Sequence, residues 1–314
     1  MGIDIHNLGL LAHAQDLGAE FSRTVGIGRQ ALFVDAPELD AHRVLRRLPA
    51  LVEAPQPGRP RYFEPLMQQW LGATTVDSID ASAYENATFL HDMNLPLAET
   101  FAGRGSYDAV LDFGCLEHVF DFAVAWRNCV ELCRVGGHLI HALPANNLSG
   151  HGFYQFSPEL FFNLYQHQNG FALRGLWFAL KAEPRYWWRV ADPSVVHRRV
   201  TLRNAHEVYM MVVAQKLDDS SRSMAAPQQS DYAHGEWMKR ARPGPTPPPV
   251  DSTVPAGRGP ARALASLGLV GLIGPARRWR ERLRGLGASG LGLPAPDYVR
   301  IGVAELLRHA KDRA

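Results

Sequence analysis

The chain has 314 residues, 46% of them hydrophobic and 20% charged, which suits a globular protein with a sizeable core and excludes a disordered or fibrous one. Formal net charge is only +2, so overall charge makes no case for nucleic-acid binding. No run of about 18 apolar residues exists to form a transmembrane helix.

The opening stretch, MGIDIHNLGLLAHAQDLG, lacks the basic start and long apolar centre of a secretory signal, which points to the cytoplasm. Residues 24–28 (TVGIG) form a short apolar run ending in Gly-x-Gly, a first strand with a tight turn behind it. A helical, proline-interrupted insertion follows at about 36–72, with Leu39, Val44, Leu48 and Leu51 on one face. Residues 74–79 (TTVDSI) read as a second strand ending on Asp80. Residues 87–91 (ATFLH) read as a third, ending on Asp92.

The segment 107–118, YDAVLDFGCLEH, carries the most information. A buried-strand pattern breaks at Asp112 and Gly114 and runs on towards a helix. About twenty residues later RVGGHLIHALP supplies a Gly-Gly turn and a fifth strand at 139–143. Strand, helix, turn and strand make a right-handed parallel crossover, which places Asp112, Gly114, Glu117 and His118 at a strand's carboxyl end, where ligands sit in such sheets. The helix between, 123–132, should turn Trp126, Val130 and Cys133 inward. Cys115, Cys129 and Cys133 are too few for a disulfide framework and are expected to be reduced. A CxxxC pair near His138 has no second ligand pair after it, so no metal is expected.

Residues 157–165 (SPELFFNLY) open as a helix capped by Ser157 with proline in the first turn. Two long strands follow at 171–180 and 206–216. Between them lies YWWR (186–189), in which Trp187 is offered as a substrate lid or as an aromatic clamp on the sheet's edge. From 218 to 260 the chain is rich in Ser, Pro, Gln and Gly and reads as a linker. Residues 261–314 read as a basic helical segment with a final helix at 298–310. Its RRWRERLR run (277–284) is suited to a partner or a membrane surface, or to solvent.

Over residues 20–216 this ordered set resembles the class I S-adenosylmethionine-dependent methyltransferases. YDAVLDFGCLEHVFD is similar to that family's fourth-strand motif, and LCRVGGHLIHALP to its turn before the fifth strand. Residues 146–159, NNLSGHGFYQFSPE, match a branch with an NNxxxHGFYQFSPE segment. The resemblance implies a Rossmann-like α/β fold with a seven-stranded, mostly parallel sheet, an antiparallel last strand and a helical C-terminal appendage. It also implies S-adenosylmethionine as cofactor. Gly26 and Gly28 would form the glycine turn, Asp80 would bond the ribose, Asp92 and Met93 would lie near adenine, and Asp112 and Gly114 would line the methionine side. The turn departs from an acid followed by GxGxG: it reads VGIGRQ, without a third glycine.

Methyl transfer from a sulfonium needs positioning and, for a protonated acceptor, a base. His118, His151 and Glu117 are the candidates for acid–base work. Asn146, Asn147 and Tyr154 belong to an unusual loop that could hold a polar small-molecule acceptor. Each residue also has a plainer role open to it: Asp80 and Asp92 as turn residues, the histidines as structural groups, and the loop as a turn bonding its own backbone. Three functions therefore compete: methyl transfer to O or N of a small molecule, a non-catalytic binding module on the same fold, and a hydrolase using Asp112, His118 and His151. The last lacks a GxSxG nucleophile elbow.

Overall fold

The computed structural model describes residues 2–34, 61–202, 204–233 and 298–307. The insertion at 36–60, the linker after 233 and the RRWRERLR run lie outside them. The chain divides into two units, one holding residues 1–192, 206–227 and 296–314, the other 193–205 and 228–295.

In the first unit β1 (Gly2–Ile3) pairs in parallel with β3 (Ala31–Leu32) as a separate two-stranded ribbon. All other strands join one mixed sheet of nine: β2 (Arg23–Ile27), β4 (Thr75–Asp80), β5 (Phe89–Leu90), β6 (Tyr107–Asp112), β7 (Cys133–Asn146), β8 (Phe171–Leu180), β9 (Tyr186–Val190), β10 (Val208–Lys216) and β11 (Tyr298–Gly302). Their spatial order is β11-β9-β8-β10-β7-β6-β2-β4-β5. The run from β5 to β7 is parallel throughout. β10 is antiparallel to both β7 and β8, and β9 and β11 continue antiparallel to the edge. The architecture is an α/β, Rossmann-like sheet.

β6 is buried at every position, as a central parallel strand must be when helices cover both faces. On one face α1 (Ile5–Asp16) and α2 (Glu64–Leu71) join a core with Ala109, Leu111, Ile140, Met211 and Val213. The alternate residues of β7, among them His141, meet α3 (Phe122–Leu132) and α4 (Pro158–Leu164) through the side chains of Trp126 and Tyr165 on the opposite face. Three helix starts have a side-chain cap. Asp4 accepts from the amides of His6 and Asn7, Asp121 from Val124, and Ser157 from Glu159. Lys216, buried at the end of β10, donates to the carbonyls of Val130 and Cys133 and so caps the end of α3.

Three expectations are corrected. The sheet has nine strands rather than seven. YWWR, offered as a lid or an aromatic clamp on the sheet's edge, is strand β9 beside the edge strand β11, and Trp187 is no lid but wholly buried in the core beside His6 and His13. The stretch beginning at Tyr298 does not start as a helix: residues 298–302 extend as β11 because they pair with β9, and among its described residues the α-helix is α7 (Val303–Leu306). The N-terminal helix α1 was not among the expected elements. Its Gly9 lets it approach Trp187, whose ring would lie 3.0 Å from an added Cβ.

Within the second unit, the described residues form two short helices, α5 (Pro193–Val196) and α6 (Ser230–Ala233), and an Arg199–Asp231 ion pair at 2.8 Å. Among the described residues no helix is long and apolar enough to cross a membrane.

Candidate functional site

The carboxyl ends of β6 and β7 carry the unusual chemistry of the chain. Asp112 ends β6 with no exposed surface. Its Oδ1 accepts from the amides of Cys115 and Leu116, at 3.0 and 3.3 Å, which folds the chain into the turn Leu116–His118. Its Oδ2 lies 3.0 Å from His141 Nδ1. Asp112 thus shapes the site through the turn, with its oxygens directed inward. Gly114 takes a φ of +92° inside that turn, a conformation suited to glycine.

The turn presents Glu117 and His118, and a second segment brings His151 to them. After β7 the loop from Asn147 to Gln155 folds back on itself. Asn147, at φ +58°, donates from Nδ2 to His206 O, and Gln155 Oε1 accepts from the Leu148 amide. Phe153 and Tyr154 then donate their amides to Glu117 O, at 2.7 and 3.3 Å, while the Tyr154 hydroxyl donates to Phe120 O. Gly152 makes the approach possible. Its φ is +75°, and a Cβ there would lie 2.7 Å from the Glu117 carbonyl oxygen. Gly152→Ala is therefore expected to destabilise the protein by about 1–3 kcal/mol, combining left-handed strain with a backbone clash. Urea unfolding measures this, and an unchanged midpoint would refute the clamp.

The result is a cluster of three. Glu117 Oε1 lies 3.5 Å from His151 Nε2 and 3.9 Å from His118 Nε2, and the two imidazoles meet edge to face with centroids 5.0 Å apart. The Glu117 side chain is fully buried, and neither carboxylate oxygen has a hydrogen-bond partner. Burial above all, and then the charge of Asp112, pushes its carboxyl up to about 8. Burial lowers both histidines from their ordinary value, His118 further through His151.

His151 also lines a cavity of about 380 Å³ against α1 and the strand ends. Phe113, Ala142 and Tyr209 give it an apolar floor, while Asp4, Asn7 and Lys181 add polar groups. This is the size and mixture of a small-molecule site. The sequence signals did not point to Asn7, Lys181 or Tyr209, because α1 was not expected and because Lys181 and Tyr209 reach the cavity only through pairing of β8 with β10.

The other expected residues stand apart from this cluster. Gly26 lies in β2 and Gly28 directly follows it, Asp80 ends β4 and accepts from the Ser82 amide, and Asp92 accepts from the amide and side chain of Asn94. Met93 is buried, its carbonyl accepting from Asn128. Asn146 ends β7, whereas Trp187 is a core residue and not part of the cavity wall.

No protein-family model and no curated protein matches the chain. Among solved structures it is similar to the 1,6-didemethyltoxoflavin-N1-methyltransferase of Burkholderia thailandensis, determined with 1,6-didemethyltoxoflavin and S-adenosylhomocysteine. Identity is 13% over 68% of this chain and 79% of that one, with a TM-score of 0.36. It is also similar to an S-adenosylmethionine-dependent methyltransferase of Mesorhizobium loti (13% identity, 68% and 98% covered, TM-score 0.37). A third is a possible histamine N-methyltransferase of Thermotoga maritima (14% identity, 68% and 92% covered, TM-score 0.33). At these values the likenesses assign no activity.

Proposed function

We propose that this protein is an S-adenosylmethionine-dependent methyltransferase that transfers a methyl group to O or N of a small molecule. The strand order carries the reading. From β5 to β8 it runs third, second, first, fourth, fifth, then a reversed seventh strand before the sixth. That is a Rossmann-like order with the antiparallel last strand that the sequence resemblance implies. β9 and β11 are additions at one edge.

The residues at the parallel strand ends fit the cofactor in part. Asp80 receives only the Ser82 amide among the described residues, so its second oxygen is open to ribose hydroxyls. At Gly28 an added Cβ would meet, among the described residues, only Gln30 Nε2, at 3.7 Å, which leaves room for a ligand on that side of the turn as far as those residues go. Gly26 serves packing instead, its face filled by the Phe63 ring at 3.0 Å. S-adenosylmethionine supplies an electrophilic methyl group. The chain's own part is to hold the acceptor in the cavity, keep water from it and take up its proton, and His151 is the imidazole on the cavity wall for that last step.

One observation favours the second reading, a non-catalytic binding module. Gln30 folds across the glycine turn and donates to the carbonyls of Ile27 and Gly28, at 2.8 and 3.2 Å. Calorimetric titration with S-adenosylhomocysteine separates the two. Methyltransferase function predicts micromolar binding, weakened at least about tenfold by Asp80→Ala. No heat at millimolar ligand would leave the binding module.

A further inference from the structure

We infer that Glu117, His118 and His151 form a binding site for a divalent first-row transition ion, zinc foremost. The candidate ligand atoms, one from each residue, all lie within 4.8 Å of one another. Such ions take imidazole nitrogen and carboxylate oxygen at about 2.0–2.2 Å, so tetrahedral ligands stand roughly 3.4 Å apart. The Glu117–His151 separation of 3.5 Å already meets this, and His118, 3.9 Å from Glu117 and within 4.8 Å of the other ligand atoms, must close in by turning its half-exposed side chain.

The second observation is Glu117 itself. A fully buried carboxyl group with both oxygens unpartnered is costly, and native interiors seldom leave one so. Among the described residues no Lys or Arg pairs with it, and the groups it faces are two imidazoles, which are metal ligands in their neutral form. A cation between the three satisfies the carboxylate and accepts a lone pair from each ring. The scaffold is suited to hold it. His118 sits on the turn tied by Asp112, and His151 on a loop clamped to Glu117 O by two backbone amides.

Two imidazoles and one carboxylate make a donor set typical of zinc and of non-haem iron, and three protein ligands leave at least one position open. Because His151 also borders the cavity, that position is accessible to an oxygen or nitrogen of a bound small molecule. With the His151 lone pair held by the ion, the ion takes over from His151 by lowering the bound molecule's pKa, and the proton passes to solvent. The ion site does not depend on the adenosyl cofactor, and ion binding is measured without it.

The test uses the full chain, stripped with a chelator and titrated with Zn²⁺ in competition with a chromophoric chelator; Co²⁺ absorption gives a second readout. The expected result is one ion per chain at micromolar or tighter affinity, weakened at least about tenfold for each ligand lost in Glu117→Gln, His118→Ala and His151→Ala. Should Glu117→Gln fail to fold, His118→Ala decides, because its side chain is half exposed and carries little packing. No uptake at about 0.1 mM Zn²⁺ would overturn the site. So would three variants that bind as the parent does, since the ion would then lie elsewhere.

Discussion

Asp112→Ala is expected to destabilise the protein by about 3–5 kcal/mol, because it leaves three buried donors without their acceptor at about 1–3 kcal/mol each. The carboxylate is the terminus of a hydrogen-bond chain across the core. Trp126 Nε1 can only donate, and does so to the Tyr165 hydroxyl at 3.1 Å; that hydroxyl donates to His141 Nε2 at 2.6 Å, and His141 Nδ1 donates to Asp112 at 3.0 Å. Truncation leaves His141 Nδ1 and the amides of Cys115 and Leu116 without acceptors in a dry interior. Urea unfolding followed by tryptophan fluorescence measures the loss. Tyr165→Phe should cost less, about 1–3 kcal/mol, since it orphans two groups rather than three. A loss under about 1 kcal/mol in Asp112→Ala would mean that the chain gives no support.

His138→Leu is expected to become progressively more stable relative to the parent as pH falls. His138, on β7, is buried with neither ring nitrogen hydrogen-bonded. Burial lowers it to about 4, and the charges of Arg174 and Arg134 act in the same direction. Its unfolded value is about 6.5, so between pH 6.5 and 4 the unfolded chain binds the extra proton. The stability tied to the neutral ring is complete above that window and lost as pH falls through it, by about 2–3 kcal/mol at pH 4.5. His13 follows the same rule. Burial against Trp177, with centroids 5.1 Å apart, takes it to about 4. Glu117, raised rather than lowered, works in the opposite sense, so a bare stability–pH profile mixes signs. The difference between His138→Leu and parent, measured by urea unfolding at pH 7.5 and 4.5, isolates one group. A constant difference would refute the assignment.

Much of the sheet was legible because its central strands are apolar runs closed by Asp or Gly. The expected strand at 74–79 is Thr75–Asp80, that at 171–180 is Phe171–Leu180, and the helix at 123–132 is Phe122–Leu132. What escaped depends on distant partners. VRIGVAELL has helical composition, and only pairing with β9 draws its first residues into a strand. Helix α1 contains Gly9 and several poor helix formers; it forms because most of its residues are buried. In the same way Glu117, His118 and His151 were each visible as reactive types near a strand end, but their convergence was not. It rests on the left-handed Gly152 and on two amides that reach a carbonyl thirty-odd residues back in sequence. The Asp112–His141 pair was equally hidden, since a histidine inside an apolar strand does not reveal which carboxylate faces it across the sheet.

The edge strand β11 has a consequence for synthesis on the ribosome. β9 leaves the exit tunnel roughly a hundred residues before its partner, and at cellular elongation rates of 5–20 residues per second that is roughly 5–20 s. For that interval the backbone groups that β9 will share with β11 have no strand beside them, next to two tryptophans that end up buried. The nascent chain must therefore be shielded at this edge, or tolerate it, until the final strand arrives.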